Sequence, residues 1–268
     1  MASPLKGKWV IITGASSGFG AAAACAFAAE GAKLLIGARR LDRLEAVADE
    51  ARKAGAAEVH FHGLDVSKTS SVEEFVGWGK AQLIRTPHSA LRTSIDVLIN
   101  NAGGALGLDT VAEGKDEDWE TMLQTNVLGV LRMTRAVLPL MLGNPGGSIL
   151  NIGSLAGHAV YEGGAAYSAA KAGELQITRT LRLELSGTGL RVSSIDPGLA
   201  ETEFSLVRFK GDIERAKKPY EGTNPLRPED IAEILVWVAK RPPHVNIDEM
   251  LIKPTDQAAI YKVYRRKT

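Results

Sequence analysis

Tyr167 and Lys171 stand four residues apart in Tyr167-Ser168-Ala169-Ala170-Lys171, and if Tyr167 opens a helix the phenol and the ammonium lie on one face. A free phenol is a poor acid or base at neutral pH, whereas a cation held close favours the phenolate. The pair therefore reads as a proton shuttle, with a structural or surface pair as the plainer alternative. Ser154 ends the apolar run Ser148-Ile149-Leu150-Asn151-Ile152, where a loop can bring its hydroxyl back over the helix start to steady a carbonyl or alkoxide oxygen.

A second chemical feature lies near the N-terminus. Trp9-Val10-Ile11-Ile12 reads as a strand buried on both faces. It runs into Thr13-Gly14-Ala15-Ser16-Ser17-Gly18-Phe19-Gly20 and an alanine-rich helix ending near Glu30-Gly31. Glycines between a buried strand and a helix N-terminus allow a tight turn and let the backbone approach a pyrophosphate. The next strand, Lys33-Leu34-Leu35-Ile36-Gly37, leads to Ala38-Arg39-Arg40, where an NAD enzyme usually carries an acid for the ribose 2′-hydroxyl. Two arginines suit a 2′-phosphate instead, so NADP is the expected cofactor. For Arg40 the alternative is a cap or flank of the following helix, Leu41 to Ala54.

The remaining elements must position these groups. A strand from Glu58 to Gly63 leads to Leu64-Asp65-Val66, where Asp65 either meets an adenine edge or caps the coming helix. His60 and His62 alternate on that strand without further ligands at suitable spacing, so no metal site is expected. A helix from about Ser70 to Ile84 and a polar, proline-containing connection precede the strand Ile95 to Ile99, which ends in Asn100-Asn101-Ala102-Gly103-Gly104. Such a turn at a strand's C-terminal end either faces a cofactor or is a plain turn. Asp116 to Met141 reads as one long helix with acids at its positive end. Asn126 within it is a poor helix former; a kink there would let a water reach Lys171, and a tolerated surface asparagine is the alternative. A helix from Tyr167 to about Ser186, a strand Arg191 to Ile195 stopped by Asp196-Pro197-Gly198, a mixed stretch 199–225 read as a mobile substrate lid, a helix Pro228 to Ala239 and a strand Met250 to Ile252 complete the chain. The βα alternation implies an α/β fold with a parallel sheet and helices on both faces.

Composition narrows the function. With 32 basic against 31 acidic residues in 268, no global field attracts nucleic acid or an anionic membrane. The single cysteine, Cys25, excludes an internal disulfide. The first apolar run is too short for a signal core, and no stretch approaches the roughly 18 apolar residues that span a bilayer. A cytoplasmic protein is expected.

Taken together, the Thr13 to Gly20 loop, Asn100-Asn101-Ala102-Gly103, Asn126, Ser154 placed 13 residues before Tyr167, Lys171 and Pro197-Gly198 resemble the short-chain dehydrogenase/reductase superfamily over essentially the whole chain. Gly18-Phe19-Gly20, Ala105-Leu106-Gly107, the stretch Glu201 to Asp212 and Lys253-Pro254-Thr255-Asp256-Gln257 are most similar to NADP-dependent serine, allo-threonine and 3-hydroxy acid dehydrogenases. The resemblance implies a single Rossmann-like, doubly wound domain over residues 1–268 with about seven strands. It implies a tetrad in which Asn126 and Lys171 hold a proton-relay water, Ser154 orients the substrate oxygen and Tyr167 exchanges its proton. Cofactor contacts are expected from Gly14, Ser16, Ser17, Gly18, Phe19, Gly20, Arg39, Arg40, Asp65, Val66, Asn101, Ala102, Gly103, Tyr167, Lys171, Pro197 and Gly198. The implied partners are a small-molecule substrate and further copies of the chain in a homotetramer. The expected reaction is hydride transfer between NADP and the hydroxyl-bearing carbon of a small 3-hydroxy acid, contacted by Ser154, Tyr167 and, through its carboxylate, Arg208 in the lid. The alternative for Arg208 is a surface or subunit contact, and Lys210 is expected to face solvent. A carbonyl reductase of neutral ketones and a non-catalytic NADP-sensing protein are the rival readings.

Overall fold

The unbroken run of Trp, Val and Ile in Trp9–Thr13 demands cover on both sides, and the strand it forms is buried along its whole length. Successive residues point to opposite faces, so Val10 and Ile12 enter one core while Trp9 and Ile11 enter another. In the computed structural model, which describes residues 3–85 and 94–266, this strand lies inside a seven-stranded sheet. The strands are β1 (Trp9–Thr13), β2 (Lys33–Ala38), β3 (Glu58–Gly63), β4 (Val97–Asn100), β5 (Ser148–Ile152), β6 (Arg191–Pro197) and β7 (Glu249–Ile252). Their spatial order is β3-β2-β1-β4-β5-β6-β7, and every neighbouring pair is parallel.

Helices cover both faces. On one, α1 (Gly18–Ala29), α2 (Leu41–Ala54) and α9 (Pro228–Ala239) bury Phe27, Leu44 and Leu235 against Val10, Ile12 and Ile36. On the other, α3 (Thr69–Arg85), α5 (Gly129–Met141) and α6 (Ala165–Glu184) set Phe75, Met133, Val137 and Leu181 against Ile11, Leu35, Leu98 and Ile149. Strand order reverses between β1 and β4, which opens a crevice beyond their C-terminal ends. Among the described residues no helix is long and apolar enough to cross a membrane.

Two polar devices fix the crevice floor. The Thr13 hydroxyl, at the end of β1, donates to the Ile99 carbonyl (3.3 Å) and accepts from the amides of Asn101 (3.0 Å) and Ala102 (2.9 Å). Deeper, Asn100 Nδ2 donates to Thr134 Oγ1 (3.1 Å) and Asn151 Oδ1 (2.9 Å), and Asn151 Nδ2 donates to Thr178 Oγ1 (2.8 Å). Thr178 Oγ1 in turn donates to the Glu174 carbonyl (3.0 Å), so one buried chain of bonds joins β4 and β5 to α5 and α6.

Several boundaries differ from the sequence expectation. The long helix is α4 (Asp116–Leu123), a π turn (Gln124–Leu128) and α5 in succession. Of the two readings of Asn126, a kink or a tolerated surface residue, the structure has a widened turn with Asn126 buried, a form common at functional positions. Helix α6 begins at Ala165, because two alanines before Tyr167 favour helix. Strand β6 runs on through Asp196 to Pro197, since β7 offers Leu251 and Ile252 as parallel partners. The proline-containing connection before β4 lies, for residues 86–93, outside the described residues. The 199–225 stretch contains α7 (Phe204–Arg208) and α8 (Ile213–Lys217), and the C-terminal part adds an antiparallel ribbon, β8 (Gln257–Ala259) with β9 (Lys262–Val263), that the sequence reading did not contain. His60 pairs with Glu58 (2.6 Å) and His62 lies against Trp78.

Replacing Thr13 by Val keeps the shape of the side chain but strands two amides and a carbonyl. Urea unfolding of Thr13→Val should show a stability loss of roughly 1–3 kcal/mol, read as a lower midpoint at unchanged slope. An unchanged midpoint would mean that water replaces the lost partner.

Candidate active site

A cleft of about 670 Å³ opens at the C-terminal ends of the central strands. Of the residues expected from sequence, Gly14, Ser16, Ser17, Gly18, Phe19, Arg39, Arg40, Asp65, Val66, Asn101, Ala102, Gly103, Ser154, Tyr167, Lys171, Pro197, Gly198 and Arg208 line it. Gly20 and Asn126 stand behind its wall.

The glycine loop is shaped by contact with the turn after β4. A Cβ at Gly20 would lie 2.5 Å from Asn101 Nδ2 and 2.6 Å from the Gly14 carbonyl, so no larger residue fits there. Gly14 has φ 65°, in the left-handed region that favours glycine. Asn101 braces the loop by donating from Nδ2 to the Thr13 (2.8 Å) and Gly14 (3.2 Å) carbonyls. Ser17 occupies the N-cap position of α1 without a side-chain cap bond, and its hydroxyl accepts from Arg40 Nη2 (2.7 Å). The first amides of α1 are thereby left without a side-chain partner, the arrangement that receives an anion.

Arg40 also donates to Ser16 Oγ from Nε (3.2 Å) and Nη2 (3.1 Å), and to Glu203 Oε2 from Nη1 (3.0 Å). Arg43 of α2 binds the other oxygen of Glu203. Burial works against the Glu203 carboxylate, but the two guanidiniums outweigh it and hold its pKa below the usual range. Arg40 begins α2 with its backbone and turns its side chain into the cleft, while Arg39 is exposed and makes no hydrogen bond among the described residues. Asp65 accepts from the Ser67 amide (3.1 Å) and hydroxyl (2.6 Å), a local turn leading into α3, while also lining the cleft. A close-packed glycine loop, an uncapped helix start and two arginines at one end fit a 2′-phosphorylated dinucleotide.

At the other end of the cleft, β5 gives way to Gly153, where a Cβ would collide with the Asp196 carboxylate. Ser154 follows in extended conformation; its Oγ accepts from the Ala156 amide (3.1 Å) and caps the single 3₁₀ turn Leu155–Gly157. Its hydroxyl proton remains to be donated. Tyr167 and Lys171 are both buried on α6. The Tyr167 ring packs against Phe204, with centroids 5.6 Å apart. Lys171 Nζ donates to the Ile152 carbonyl and to Glu174 Oε2, each at 2.7 Å. Burial opposes the Lys171 charge, yet the Glu174 carboxylate and the Tyr167 phenol outweigh that and raise its pKa. Glu174 itself is pushed up to about 7 by burial, against the pull of Lys171.

Asn126, in the π turn, donates from Nδ2 to the carbonyls of Met122 (2.8 Å) and Gly104 (2.9 Å), and its Oδ1 accepts from the Gly104 amide (3.1 Å). Its side chain therefore pins the loop after β4. A Cβ at Gly103 would lie 2.6 Å from Asn126 Oδ1 and 3.7 Å from Lys171 Nζ, so these three groups crowd one corner.

Arg208 ends α7 and turns into the cleft. Its Nε donates to the Gly107 carbonyl (2.9 Å), Nη2 donates to Tyr161 Oη (2.7 Å), and Cζ lies 5.8 Å from the Tyr167 ring centroid. Nη1 has no hydrogen-bond partner among the described residues. Lys210 instead donates to the Asp118 carboxylate at 2.8 Å and does not line the cleft. Burial raises the Tyr161 phenol above its ordinary range, and Arg208 offsets this only in part.

Sequence reasoning missed Glu174, Tyr161 and Glu203. Glu174 carried a signal, since it stands three residues after Lys171 on one helix face. Tyr161 lies in an irregular segment, and Glu203 meets Arg40 across 163 residues, so neither had a local pattern to reveal it.

A family model described as short chain dehydrogenase matches residues 8–211. An NADP-dependent 3-hydroxy acid dehydrogenase of Salmonella typhi is 46% identical over 250 residues, covering 93% of this chain and 96% of that protein. A sulfoacetaldehyde reductase of Chromohalobacter salexigens is 43% identical over 250 residues, covering 93% and 94%. Among solved structures, the closed form of a serine dehydrogenase complexed with NADP+ is 41% identical with a TM-score of 0.84, over 97% of this chain and 100% of that one.

The buried Glu174 gives a pH dependence of stability. Its carboxyl is raised in the fold from an ordinary 4.5 to about 7, so its contribution is fully present below about 4.5 and is lost as pH rises through about 7. Glutamine cannot ionise. The melting temperature of Glu174→Gln relative to the unsubstituted chain should therefore climb between about pH 5 and about pH 8, by at least about 2–4 °C, the shift of ~1 kcal/mol in a chain of this size. A difference that stays constant over that range would show that Glu174 does not titrate there.

Proposed function

The chain belongs to the short-chain dehydrogenase family, and from that premise we propose that it is an NADP-dependent oxidoreductase acting on a small 3-hydroxy acid such as serine or allo-threonine. The observation that carries the reading is one cleft into which the glycine loop, Arg39 and Arg40, the Tyr167 and Lys171 pair, and Arg208 all face. The serine, 3-hydroxy acid and sulfoacetaldehyde of the relatives' names each carry an acid group, which supports an anion site in this cleft as well.

NADP, when bound, supplies a hydride acceptor or donor at C4 of its nicotinamide. The backbone of the glycine loop and the open start of α1 would hold its pyrophosphate, Arg39 and Arg40 its 2′-phosphate, and Lys171 its nicotinamide ribose. Tyr167 takes the hydroxyl proton of the substrate as the alcohol is oxidised and returns it as the carbonyl is reduced. Ser154, whose oxygen already accepts from the Ala156 amide, keeps its proton to donate to the substrate oxygen. Asn126 has its amide engaged on Gly104 and Met122, so its part in holding a relay water is to shape the turn beside Lys171.

Arg208 would hold the substrate carboxylate. An unpaired carboxylate in this cleft would be costly, and Nη1, beside the Tyr167 ring, is a donor with no partner among the described residues. Phe204 and the rest of the 199–225 segment form the lid that keeps water from the reacting atoms. The aromatic wall of Phe204 and Tyr161 is the feature that favours a second reading, a reductase of neutral ketones. The homotetramer and the cytoplasmic location belong to the same proposal; exposed Leu123, Leu128 and Leu131 along α4, the π turn and α5, and Leu183 on α6, are available for a subunit face.

Tyr167→Phe should keep NADP binding, measured by titration calorimetry, and lose turnover of serine by about 10²–10⁴-fold. Near-native turnover would remove Tyr167 from the chemistry. Arg208→Met should raise KM for serine and other 3-hydroxy acids by about tenfold or more, while KM for a neutral ketone of similar size changes little. Equal damage to both substrates would make Arg208 a support of the lid and move the carboxylate elsewhere.

A further inference from the structure

Behind the Lys171 ammonium lies a carboxylate that the reaction as described does not use. Glu174 is 1% exposed, and its Oε2 accepts from Lys171 Nζ at 2.7 Å. Its carbonyl accepts from Thr178, the last member of the buried chain of bonds through Asn151 and Asn100, so the residue is rooted in the floor of the cleft. A buried ion pair adds little to stability compared with apolar residues of the same volume. Between a helix and a sheet otherwise filled by Met133, Val137, Ile149 and Leu181, the acid calls for a role beyond packing.

Lys171 supplies the role. An ammonium has three donors. Here one is held by the Ile152 carbonyl at the end of β5 and one by Glu174, while Lys171 lines the cleft with what remains. The charged and titratable groups around the pair are few. On α6 itself Tyr167 acts on Lys171; from β6 the fully buried Asp196 acts on both members. Asp196 is held by Ser194 Oγ (2.5 Å) and by His158 Nε2 (2.8 Å), just after the 3₁₀ turn. Arg179 and Glu249 pair with each other at 2.7 Å beyond it. From the π turn comes Asn126, which is neutral. Lys171 is thus the one cation bonded to Glu174 among the described residues.

We infer that Glu174 is a positioning residue of the proton-transfer site: together with the Ile152 carbonyl its carboxylate fixes two donors of Lys171 so that the third is aimed into the cleft, and its ionisation sets how much positive charge Lys171 presents to Tyr167. The inference rests on Tyr167 and Lys171 being the proton-transfer pair. When Glu174 is protonated, the ammonium acts on Tyr167 undiminished; when Glu174 ionises, it offsets that charge. Burial moves this ionisation to about 7, inside the working range of an enzyme.

Two variants separate the two effects. Glu174→Gln keeps an oxygen that can accept from Lys171 and removes the charge; Glu174→Leu removes both. NADP binding to each purified protein is measured by titration calorimetry, and the pH profile of kcat by oxidation of serine with NADP. Glu174→Gln should bind NADP within about twofold of the unsubstituted chain, while the acid limb of its kcat profile moves to lower pH by ~0.5–1 pH unit. Glu174→Leu should bind NADP about tenfold or more weakly, because the ammonium is no longer aimed. If Glu174→Leu does not fold, Glu174→Asp, whose shorter carboxylate falls short of Lys171, takes its place in the binding measurement. A glutamine variant whose pH profile superimposes on that of the unsubstituted chain overturns the inference. So does undiminished NADP binding by the leucine or aspartate variant. If the unsubstituted chain binds NADP but oxidises no 3-hydroxy acid, the substrate reading fails, and the binding measurement decides the place of Glu174 by itself.

Discussion

A lysine buried to 6% exposure constrains the elements around its ammonium. Burial makes its charge costly unless each donor is met with good geometry. Lys171 obtains its partners from the end of β5 and from one turn further along its own helix, so β5 and α6 must converge at that point. The surrounding glycines follow from this convergence. A Cβ at Gly157 would lie 2.9 Å from the Lys171 carbonyl, because the 3₁₀ turn carrying Ser154 sits directly on the α6 backbone. At Gly103 it is the Asn126 side chain that leaves no room for a Cβ, with Lys171 Nζ in ordinary contact behind it.

The sheet makes such a polar corner tolerable. Apolar clusters on both of its faces supply the bulk of the stabilisation, and the polar residues near the strand ends are tied to one another rather than left against hydrocarbon. Thr134, Asn100, Asn151 and Thr178 form a continuous chain of bonds that ends on the Glu174 carbonyl. The same bonds that hold the sheet to its helices also hold the helix segment that carries Lys171 and Glu174.

The two ends of the cleft differ in chemistry, and one short segment touches both. Glu203 reaches Arg40 and Arg43 at the end beside the glycine loop, while Arg208 reaches Gly107 and Tyr161 at the end beside Tyr167. Helix α7 lies between them, with Phe204 on Tyr167. One short helix is therefore tied to groups at both ends of the cleft.

The strand runs, the glycine loop and the Tyr167 to Lys171 spacing were legible in the chain because each depends on neighbours within a turn or a strand. Val10 and Ile12 announce a buried strand by type alone, and a lysine four residues after a tyrosine faces it in any helix. Arg39 and Arg40 were legible for the same reason, since the end of the second strand sets their place. The ends of elements were less so: α6 starts before Tyr167 because alanines extend it, and β6 continues through Pro197 because β7 lies beside it. Only the tertiary structure decided that Asn126 holds the Gly104 loop with its side chain, that Glu203 meets Arg40, that Arg208 rather than Lys210 turns inward, and that Asp196 fills the space a Cβ at Gly153 would need. Those outcomes depend on groups brought together across long stretches of chain, whose approach is set by how the helices pack on the sheet and not by any pattern in the residues beside them.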